Sequence, residues 1–196
     1  MPITMNDWMN LSCSQNVINK LREATAVEDF QAVIQAAQRF NKLDWVAAVA
    51  ILHMVYGWMP TMLRPIPYHC RAQRAELLRC LVAVREGRFL ERGDLAIVER
   101  FANGSIVGAS KVLHVLNPTN YVIWDSRVAR VFLWPKVSRQ TYCKVPRLQE
   151  YLQTIHSWAG IPCIQDRCQN LKALNHQYIN ATNLRMIELV LFNGGP

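Results

Sequence analysis

The stretch "VGASKVLHVLNPTNYVIWDSRVARVF", residues 107–132, decides which fold the sequence predicts. Up to Asn117-Pro118 its apolar residues recur at three- and four-residue spacing, which is typical of a helix that ends before a proline. A second helical pattern begins at Asp125, a residue type that caps helix N-termini. The same spacing dominates the rest of the chain, in which glycines are few. The sequence therefore predicts an all-α fold.

The residues just before this stretch predict a pair of short helices joined by a turn. Asp94 is expected to cap "LAIVERFA", and "NGSIVG" then turns the chain into a second helix, "ASKVLHVL". Backbone amides at the start of such a second helix can hold a phosphate without reading base sequence. The residues expected to contact phosphate here are Gly104, Ser105, Val107, Gly108 and Ser110.

Helical patterns on both sides of this pair predict a single compact unit over residues 1–196, made of two approximate lobes. The first lobe is central, covers residues 25–135 and contains the helix pair at residues 94–116. The second lobe combines residues 1–24 with residues 136–196. No internal repeat and no clear domain linker interrupts the chain.

Three local patterns predict further elements of these lobes. Thr25 and Glu28 form a possible capping box, and Asp44 is expected to cap "WVAAVAILHMVYGWM". This apolar run is too short to span a bilayer comfortably and is interpreted as a buried helix. Near the C-terminus, "RLQEYLQTIHSWAG" and "ATNLRMIELVLF" predict helices separated by a loop that contains cysteine, proline and glutamine.

The charge of the chain gives the first indication of a partner. A net charge of +8 and a pI near 9.4 favour a polyanion, nucleic acid before membrane. From Ser126 to Gln149 there are six basic residues and no acid, and arginines are also frequent from Arg64 to Arg92. The arginines expected to contact DNA are Arg64, Arg71, Arg127 and Arg130. A solvated basic surface is the alternative interpretation.

The six cysteines show no tight pairing pattern, and "MPITMNDWMN" shows no signal-peptide pattern. We therefore expect reduced thiols in the cytoplasm. No cofactor or metal is expected. A zinc site made of Cys143, His156, Cys163 and Cys168 is a weak alternative, because their spacing matches no known zinc motif.

The stretch "VGASKVLHVLNPTNYVIWDSRVARVF", residues 107–132, resembles the signature of helix-hairpin-helix DNA glycosylases of the endonuclease III type. The Gly-hydrophobic-Gly hairpin of that family reads Ile106-Val107-Gly108 here, with Gly104 upstream. Asp125-Ser126-Arg127-Val128 is similar to the start of the family's catalytic-Asp helix. Lys111 falls near the position that bifunctional members use as nucleophile. The iron–sulfur cysteine array of some members is absent from the sequence.

The resemblance implies a two-lobed glycosylase fold and an enzyme that flips a modified base out of duplex DNA and hydrolyses its N-glycosidic bond. Asp125 would then stabilise the oxocarbenium character that develops on the sugar and orient the attacking water. Lys111 has three open interpretations: a Schiff-base nucleophile, a phosphate contact, or an exposed helix lysine. We prefer the phosphate contact, which predicts a monofunctional enzyme that leaves an abasic site.

Base flipping also requires an apolar pocket and a side chain that enters the stack. The residues expected to line the pocket are Trp124, Tyr121, Trp58 and Tyr68. Trp124 is the preferred candidate because it is adjacent to Asp125, and the alternative interpretation is that it is a core aromatic residue. The inserting side chain is expected among Arg64, Tyr68, His69 and Gln73.

The chain is also similar to a divergent branch that contains bacterial anti-phage glycosylases, which remove glucosylated hydroxymethylcytosine. The expected partner is accordingly double-stranded DNA that carries a modified base. The protein is expected to be a monomer and to bind no membrane. A non-catalytic helix-hairpin-helix DNA-binding protein is the main alternative and would tolerate loss of Asp125. A helical toxin–antitoxin or protein-interaction module is a third possibility, with no specific residue in its favour.

Overall fold

All the regular structure that the computed structural model describes is helical. It describes residues 2–24, 28–59, 61–64, 72–134 and 137–195, with only the backbone at residues 28 and 29. No strand occurs in these ranges, and the all-α prediction is confirmed. The capping box expected at Thr25 and Glu28 lies outside the described residues and side chains. The same is true of Tyr68, His69 and Arg71.

The helices are α1 (Met5–Ser12), α2 (Gln15–Glu23), α3 (Glu28–Gln38), α4 (Trp45–Gly57), α5 (Arg74–Arg85), α6 (Arg92–Phe101), α7 (Ile106–Leu116), α8 (Ser126–Phe132), α9 (Arg139–Tyr142), α10 (Val145–Ala159), α11 (Pro162–Lys172) and α12 (Asn183–Asn193). A short 3₁₀ turn, His176–Tyr178, precedes α12. In the described ranges, no helix combines the length and apolarity needed to cross a bilayer.

The chain divides into two compact units. Unit 1 comprises Met1–Ala26, Trp124–Tyr142 and Glu150–Pro196, and unit 2 comprises Val27–Ile123 and Cys143–Gln149. The lobes expected from the sequence placed α8 in the central lobe, whereas it belongs to unit 1. The reason is tertiary, because α8 packs against α12 from the C-terminal part of the chain.

Unit 1 is built around α12, which packs against α1, α2, α8 and α11. Trp8 of α1 is buried, and its Nε1–H donates to the carbonyl oxygen of Ile187 at 3.2 Å. A buried aromatic cluster of Trp124, Phe132 and Tyr151 lies in the same unit, with ring centroids 4.8–5.7 Å apart. This core holds α8 by its apolar side.

Unit 2 is built around α7, which packs against α3, α4, α5 and α6. Most residues of α7 are buried, since neighbours surround it. α4 is the buried helix expected from its apolar run, and Asp44 caps it as predicted, with its carboxylate accepting from the Ala47 amide at 3.0 Å.

Two local expectations are wrong. Asp94 does not cap α6, because the helix begins at Arg92 after Glu91; Asp94 lies in the first turn and pairs with Arg79 at 2.5 Å. The expected C-terminal loop contains α11, which accommodates Pro162 because proline is tolerated in the first turn of a helix.

Candidate active site

Asp125 is the N-cap of α8, as the sequence predicts. Its Oδ1 accepts hydrogen bonds from the amides of Arg127 and Val128, at 2.9 and 3.0 Å. These two amides would otherwise lack partners at the start of the helix, so the interaction fixes the carboxylate orientation. The side chain is half-buried. Within the described part of the chain, Oδ2 accepts no hydrogen bond, so one oxygen serves the helix and the other is left for a different partner.

Trp124, beside Asp125, is a core residue and not the wall of an accessible pocket. Its exposed fraction is 0%, and its Nε1–H donates to the carbonyl oxygen of Tyr142 at 3.0 Å. Its ring packs edge-on against Phe132, with centroids 5.7 Å apart, and lies 4.8 Å from the Tyr151 ring. The burial removes Trp124 from any surface that a flipped base would meet. Its role is to anchor the backbone that leads into Asp125.

The Tyr151 hydroxyl is buried beneath this region and has no hydrogen-bond partner among the described residues. Burial raises its pKa well above the usual value, and the charge of Glu188 adds to this shift. Glu188 is buried and paired with Arg185 of the same helix. The region below Trp124 therefore contains a neutral phenol and a compensated carboxylate, and adds no net charge next to Asp125.

Two arginines follow Asp125 on α8, and both are exposed. The guanidinium of Arg127 lies 4.8 Å from the centre of the Phe192 ring, which restrains its side chain through a cation–π contact. Arg130 is one turn farther along the helix. Unit 1 therefore presents positive charge at the surface close to Asp125, where the sequence predicted phosphate contacts.

The turn between α6 and α7 consists of Ala102–Ser105 and is the main candidate site of unit 2. Asn103 and Gly104 have φ angles of 59° and 63°. Asparagine and glycine are the residue types that adopt this left-handed conformation most readily. Ser105 is the N-cap of α7, and its Oγ accepts from the Gly108 amide at 3.2 Å.

The five residues expected to contact phosphate in unit 2 are not equivalent. Gly104 is exposed, and Ser105 and Val107 are half-buried, so these three reach the surface. Ser110 is buried and donates to the Val107 carbonyl oxygen at 2.9 Å, so its hydroxyl serves the helix. Gly108 is also buried, in the first turn of α7 and not in the hairpin turn, because α7 begins at Ile106.

Gly108 is explained by close packing against α4. A Cβ atom at this position would lie 2.2 Å from Tyr56 Oη and 3.3 Å from the Ala102 carbonyl oxygen. The Tyr56 hydroxyl donates to that carbonyl oxygen at 2.8 Å, and burial raises the pKa of Tyr56 to about 12, so the hydroxyl keeps its proton. Tyr56 thus fixes the beginning of the α6–α7 turn. The sequence showed only a glycine, and no local signal pointed to Tyr56.

Asn103 connects the α6–α7 turn to residues 61–64. Its Oδ1 accepts from the Arg64 amide at 2.8 Å, and its Nδ2 donates to the Met62 carbonyl oxygen at 2.9 Å. These bonds place the exposed Arg64 next to the turn that contains Gly104. Gln73, another residue considered for insertion, instead accepts a hydrogen bond from Arg100. The structure therefore brings together Arg64 and the turn, two features that the sequence predicted separately.

Replacing Asn103 by glycine is expected to release residues 61–64 from the turn. Glycine keeps the left-handed backbone but removes both hydrogen bonds, each worth about 1 kcal/mol. Hydrogen exchange at the Arg64 amide should become faster, and the free energy of unfolding should fall by up to about 2 kcal/mol. Asn103→Asp is the matched control, since it keeps the acceptor for Arg64 and loses only the donor to Met62. Equal protection of the Arg64 amide in wild type and Asn103→Gly would contradict this role.

Lys111 lies beside Trp58 on the surface of unit 2. Its Nζ is 4.7 Å from the centre of the Trp58 ring, and this ring lies 4.3 Å from that of Phe30. Lys111 and Trp58 are both half-buried. Tyr121, in contrast, is only 1% exposed, and its hydroxyl accepts from the Leu90 amide and donates to the Arg88 carbonyl oxygen. Of the three described residues expected to line a base pocket, Trp58 alone reaches the surface.

The cysteines considered as zinc ligands differ in their environments. Cys163 is exposed, Cys143 is half-buried and Cys168 is buried, and all three are free thiols. In the ranges that the structure describes, no three potential ligands from histidine, cysteine, aspartate and glutamate come together in a metal-binding group. Burial raises the pKa of the Cys168 thiol to about 11, which lowers its reactivity as a nucleophile.

No protein-family model matches the chain, and neither the curated proteins nor the solved structures contain a match. The assignment of a function therefore depends on the residues and geometry described above.

Proposed function

We propose that this protein is a monofunctional DNA glycosylase of the helix-hairpin-helix superfamily, with the two-lobed architecture of that group. It flips a modified base out of duplex DNA, hydrolyses the N-glycosidic bond and leaves an abasic site. The single observation that carries the proposal is the geometry of Asp125, a half-buried carboxylate held by two helix amides through one oxygen.

This geometry suits the chemistry of glycosidic-bond hydrolysis. As the base departs, positive charge develops on the deoxyribose, and a fixed negative charge nearby stabilises that transition state more than the ground state. Since the helix amides already orient the carboxylate, little reorganisation is needed during the reaction. Oδ2 is the oxygen we assign to the sugar or to the attacking water.

The proposed DNA contacts occur in both units. In unit 2, backbone phosphates are bound by Gly104 and Ser105 of the α6–α7 turn, by Val107 in the first turn of α7 and by the neighbouring Arg64. In unit 1, they are bound by Arg127 and Arg130. Backbone contacts of this type position a protein on DNA without reading sequence, which suits an enzyme whose specificity resides in the extruded base.

Lys111 is assigned to a phosphate and not to the nucleophile. Its ammonium lies over the Trp58 ring, which attracts it as a cation, and a cation is the form that pairs with phosphate. A Schiff base, in contrast, requires a neutral amine. The enzyme therefore uses water as nucleophile.

Lys111→Ala is expected to weaken DNA binding and leave the product an abasic site. Loss of one phosphate contact should reduce the slope of log affinity against log salt concentration by about 0.9. Lys42→Ala removes an exposed lysine of the same unit and is the matched control. A borohydride-trapped covalent complex that disappears in Lys111→Ala would contradict the monofunctional assignment.

We propose glucosylated hydroxymethylcytosine in phage DNA as the substrate, acted on by a monomer in the cytoplasm. The test is to incubate the purified protein with unmodified, hydroxymethylated and glucosylated phage DNA and to quantify abasic sites with an aldehyde-reactive probe. Abasic sites in the glucosylated DNA alone are expected. Release from a different modified DNA would revise the substrate, and no release from any modified duplex would reject the enzyme.

A second candidate function is a non-catalytic DNA-binding protein that uses the same turn and arginines. The burial of Trp124 and Tyr121 favours it, because these residues no longer serve as walls of a base pocket. Such a protein would bind DNA with steep salt dependence, release no base and tolerate replacement of Asp125.

A further inference from the structure

Two exposed arginines of α8 are followed by an exposed tryptophan just past the end of the helix. Between residues 127 and 134 the exposed side chains are Arg127, Arg130 and Trp134. Their spacing of three and four residues places them on one face of a helix. α8 ends at Phe132 with Leu133 as its C-cap, and Trp134 follows in a turn in which its amide donates to the Val131 carbonyl oxygen at 3.3 Å. We call the three exposed side chains, two on the helix and one in the turn that ends it, the α8 stripe.

Trp134 is 63% exposed, although tryptophan is normally mostly buried. Of the other side chains in this segment, Val128, Ala129, Phe132 and Leu133 are buried and Val131 is half-buried, so α8 makes its core contacts without Trp134. Trp134 therefore follows directly on a helix that its core contacts fix in place, and its side chain is accessible to a partner. Its large flat face suits stacking on another aromatic group.

The charge of the sequence on either side of Trp134 favours one class of partner. From Ser126 to Gln149 the sequence contains six basic residues and no acid, which favours a polyanion over a neutral protein surface. A partner that offers both negative charges and aromatic faces at regular intervals is a nucleic acid strand. Aromatic side chains beside basic ones are the arrangement that binds unpaired nucleotides.

We infer that the α8 stripe binds a DNA strand at an unpaired nucleotide, with Trp134 stacking on its base and Arg127 and Arg130 on the adjacent phosphates. This inference rests on the proposed function only in taking DNA as the partner. Asp125 precedes α8 and Trp134 follows it, and the 7-residue helix between them is about 10 Å long at a rise of about 1.5 Å per residue. That distance equals several base steps, so Trp134 stacks on a different base from the one whose bond Asp125 cleaves.

The experiment compares two duplexes of identical length, one fully paired and one with a short central mismatch bubble, by fluorescence anisotropy. Trp134→Ala should weaken binding to the bubble duplex about tenfold, within the range seen when one stacked base is lost. Binding to the paired duplex should change less than twofold. Trp134→Phe should lie between wild type and Trp134→Ala, because a smaller aromatic ring remains.

Salt dependence separates stacking from charge. Trp134→Ala should leave the slope of log affinity against log salt unchanged, whereas Arg130→Gln should reduce it by about 0.9. Ile179→Ala is the matched control, because Ile179 is an exposed apolar residue of the same unit, 71% exposed, and outside the stripe. It should bind both duplexes as wild type does.

Equal binding by wild type and Trp134→Ala would overturn the inference, and so would an equal loss for both duplexes. Trp134→Gln provides a second, polar variant if Trp134→Ala fails to fold. The two proposals remain distinguishable. If Trp134→Ala loses affinity only for the bubble duplex and the protein releases no base, the α8 stripe is supported and the glycosylase is rejected. If the protein releases a base and Trp134→Ala binds both duplexes as wild type does, the glycosylase is supported and the α8 stripe is rejected.

Discussion

Asp125→Asn is expected to reduce base release by about a hundred- to a thousandfold while leaving DNA binding and the fold intact. Asparagine is as good an N-cap as aspartate, so its side-chain oxygen can accept from the Arg127 and Val128 amides. The amide lacks the negative charge that stabilises the oxocarbenium ion, and loss of one preorganised electrostatic interaction costs a rate factor of about this size. Single-turnover release from glucosylated DNA measures it.

Two control variants separate the charge of Asp125 from its capping role. Asp125→Ala removes both and should lose activity together with about 1 kcal/mol of stability. Asp166→Asn removes an exposed carboxylate from α11 in the same unit and should change neither. If Asp125→Asn turns over every substrate at the wild-type rate, the catalytic assignment is wrong and the non-catalytic DNA-binding protein becomes the better proposal.

Gly108→Ala is expected to destabilise unit 2 by about 1–3 kcal/mol, the usual cost of overpacking a core. The added methyl group would lie 2.2 Å from Tyr56 Oη and 3.0 Å from Tyr56 Cζ. The Tyr56 side chain cannot move aside easily, since its ring is buried and its hydroxyl donates to the Ala102 carbonyl oxygen. Urea unfolding, followed by circular dichroism, measures the shift in midpoint.

Gly93→Ala is the matched control for Gly108→Ala. Gly93 lies in α6, and a Cβ atom there would meet nothing within 4 Å, so alanine should be neutral or stabilise the helix by up to about 1 kcal/mol. Combining Tyr56→Phe with Gly108→Ala should recover part of the loss, because the hydroxyl is the closest atom. An unchanged urea midpoint for Gly108→Ala alone would show that the close approach does not constrain the fold.

Features that depend on neighbouring residues could be predicted from the sequence. The caps at Asp44 and Asp125 were predicted correctly, because a short acidic side chain needs only the amides two or three residues ahead. Asp94 shows the limit of this reasoning. The helix starts three residues earlier than expected, at Arg92, and this was enough to turn an expected cap into a first-turn residue that pairs with Arg79.

Features that depend on distant residues could not be predicted in the same way. Trp124 packs on Tyr151, and Tyr121 bonds to the backbone near Arg88 and Leu90, so their burial follows from tertiary packing and not from local pattern. For the same reason Gly108 looked like a turn residue, although Tyr56 explains it. Asp125 was identifiable because its capping role is local, whereas its catalytic role remains a prediction.

The Tyr56 hydroxyl joins α4 to the Ala102 carbonyl oxygen, directly before the left-handed residues Asn103 and Gly104. This hydrogen bond has a consequence for genetic screens. Tyr56 is buried, so it would never be chosen as a nucleic-acid contact. Under the DNA contacts proposed for the α6–α7 turn, a screen for loss of DNA binding should nevertheless recover substitutions of Tyr56. These variants should be temperature-sensitive, because the turn loses the hydrogen bond from α4 that fixes its shape. Substitutions of the buried Tyr56 would thus have the same phenotype as substitutions of exposed residues in the turn.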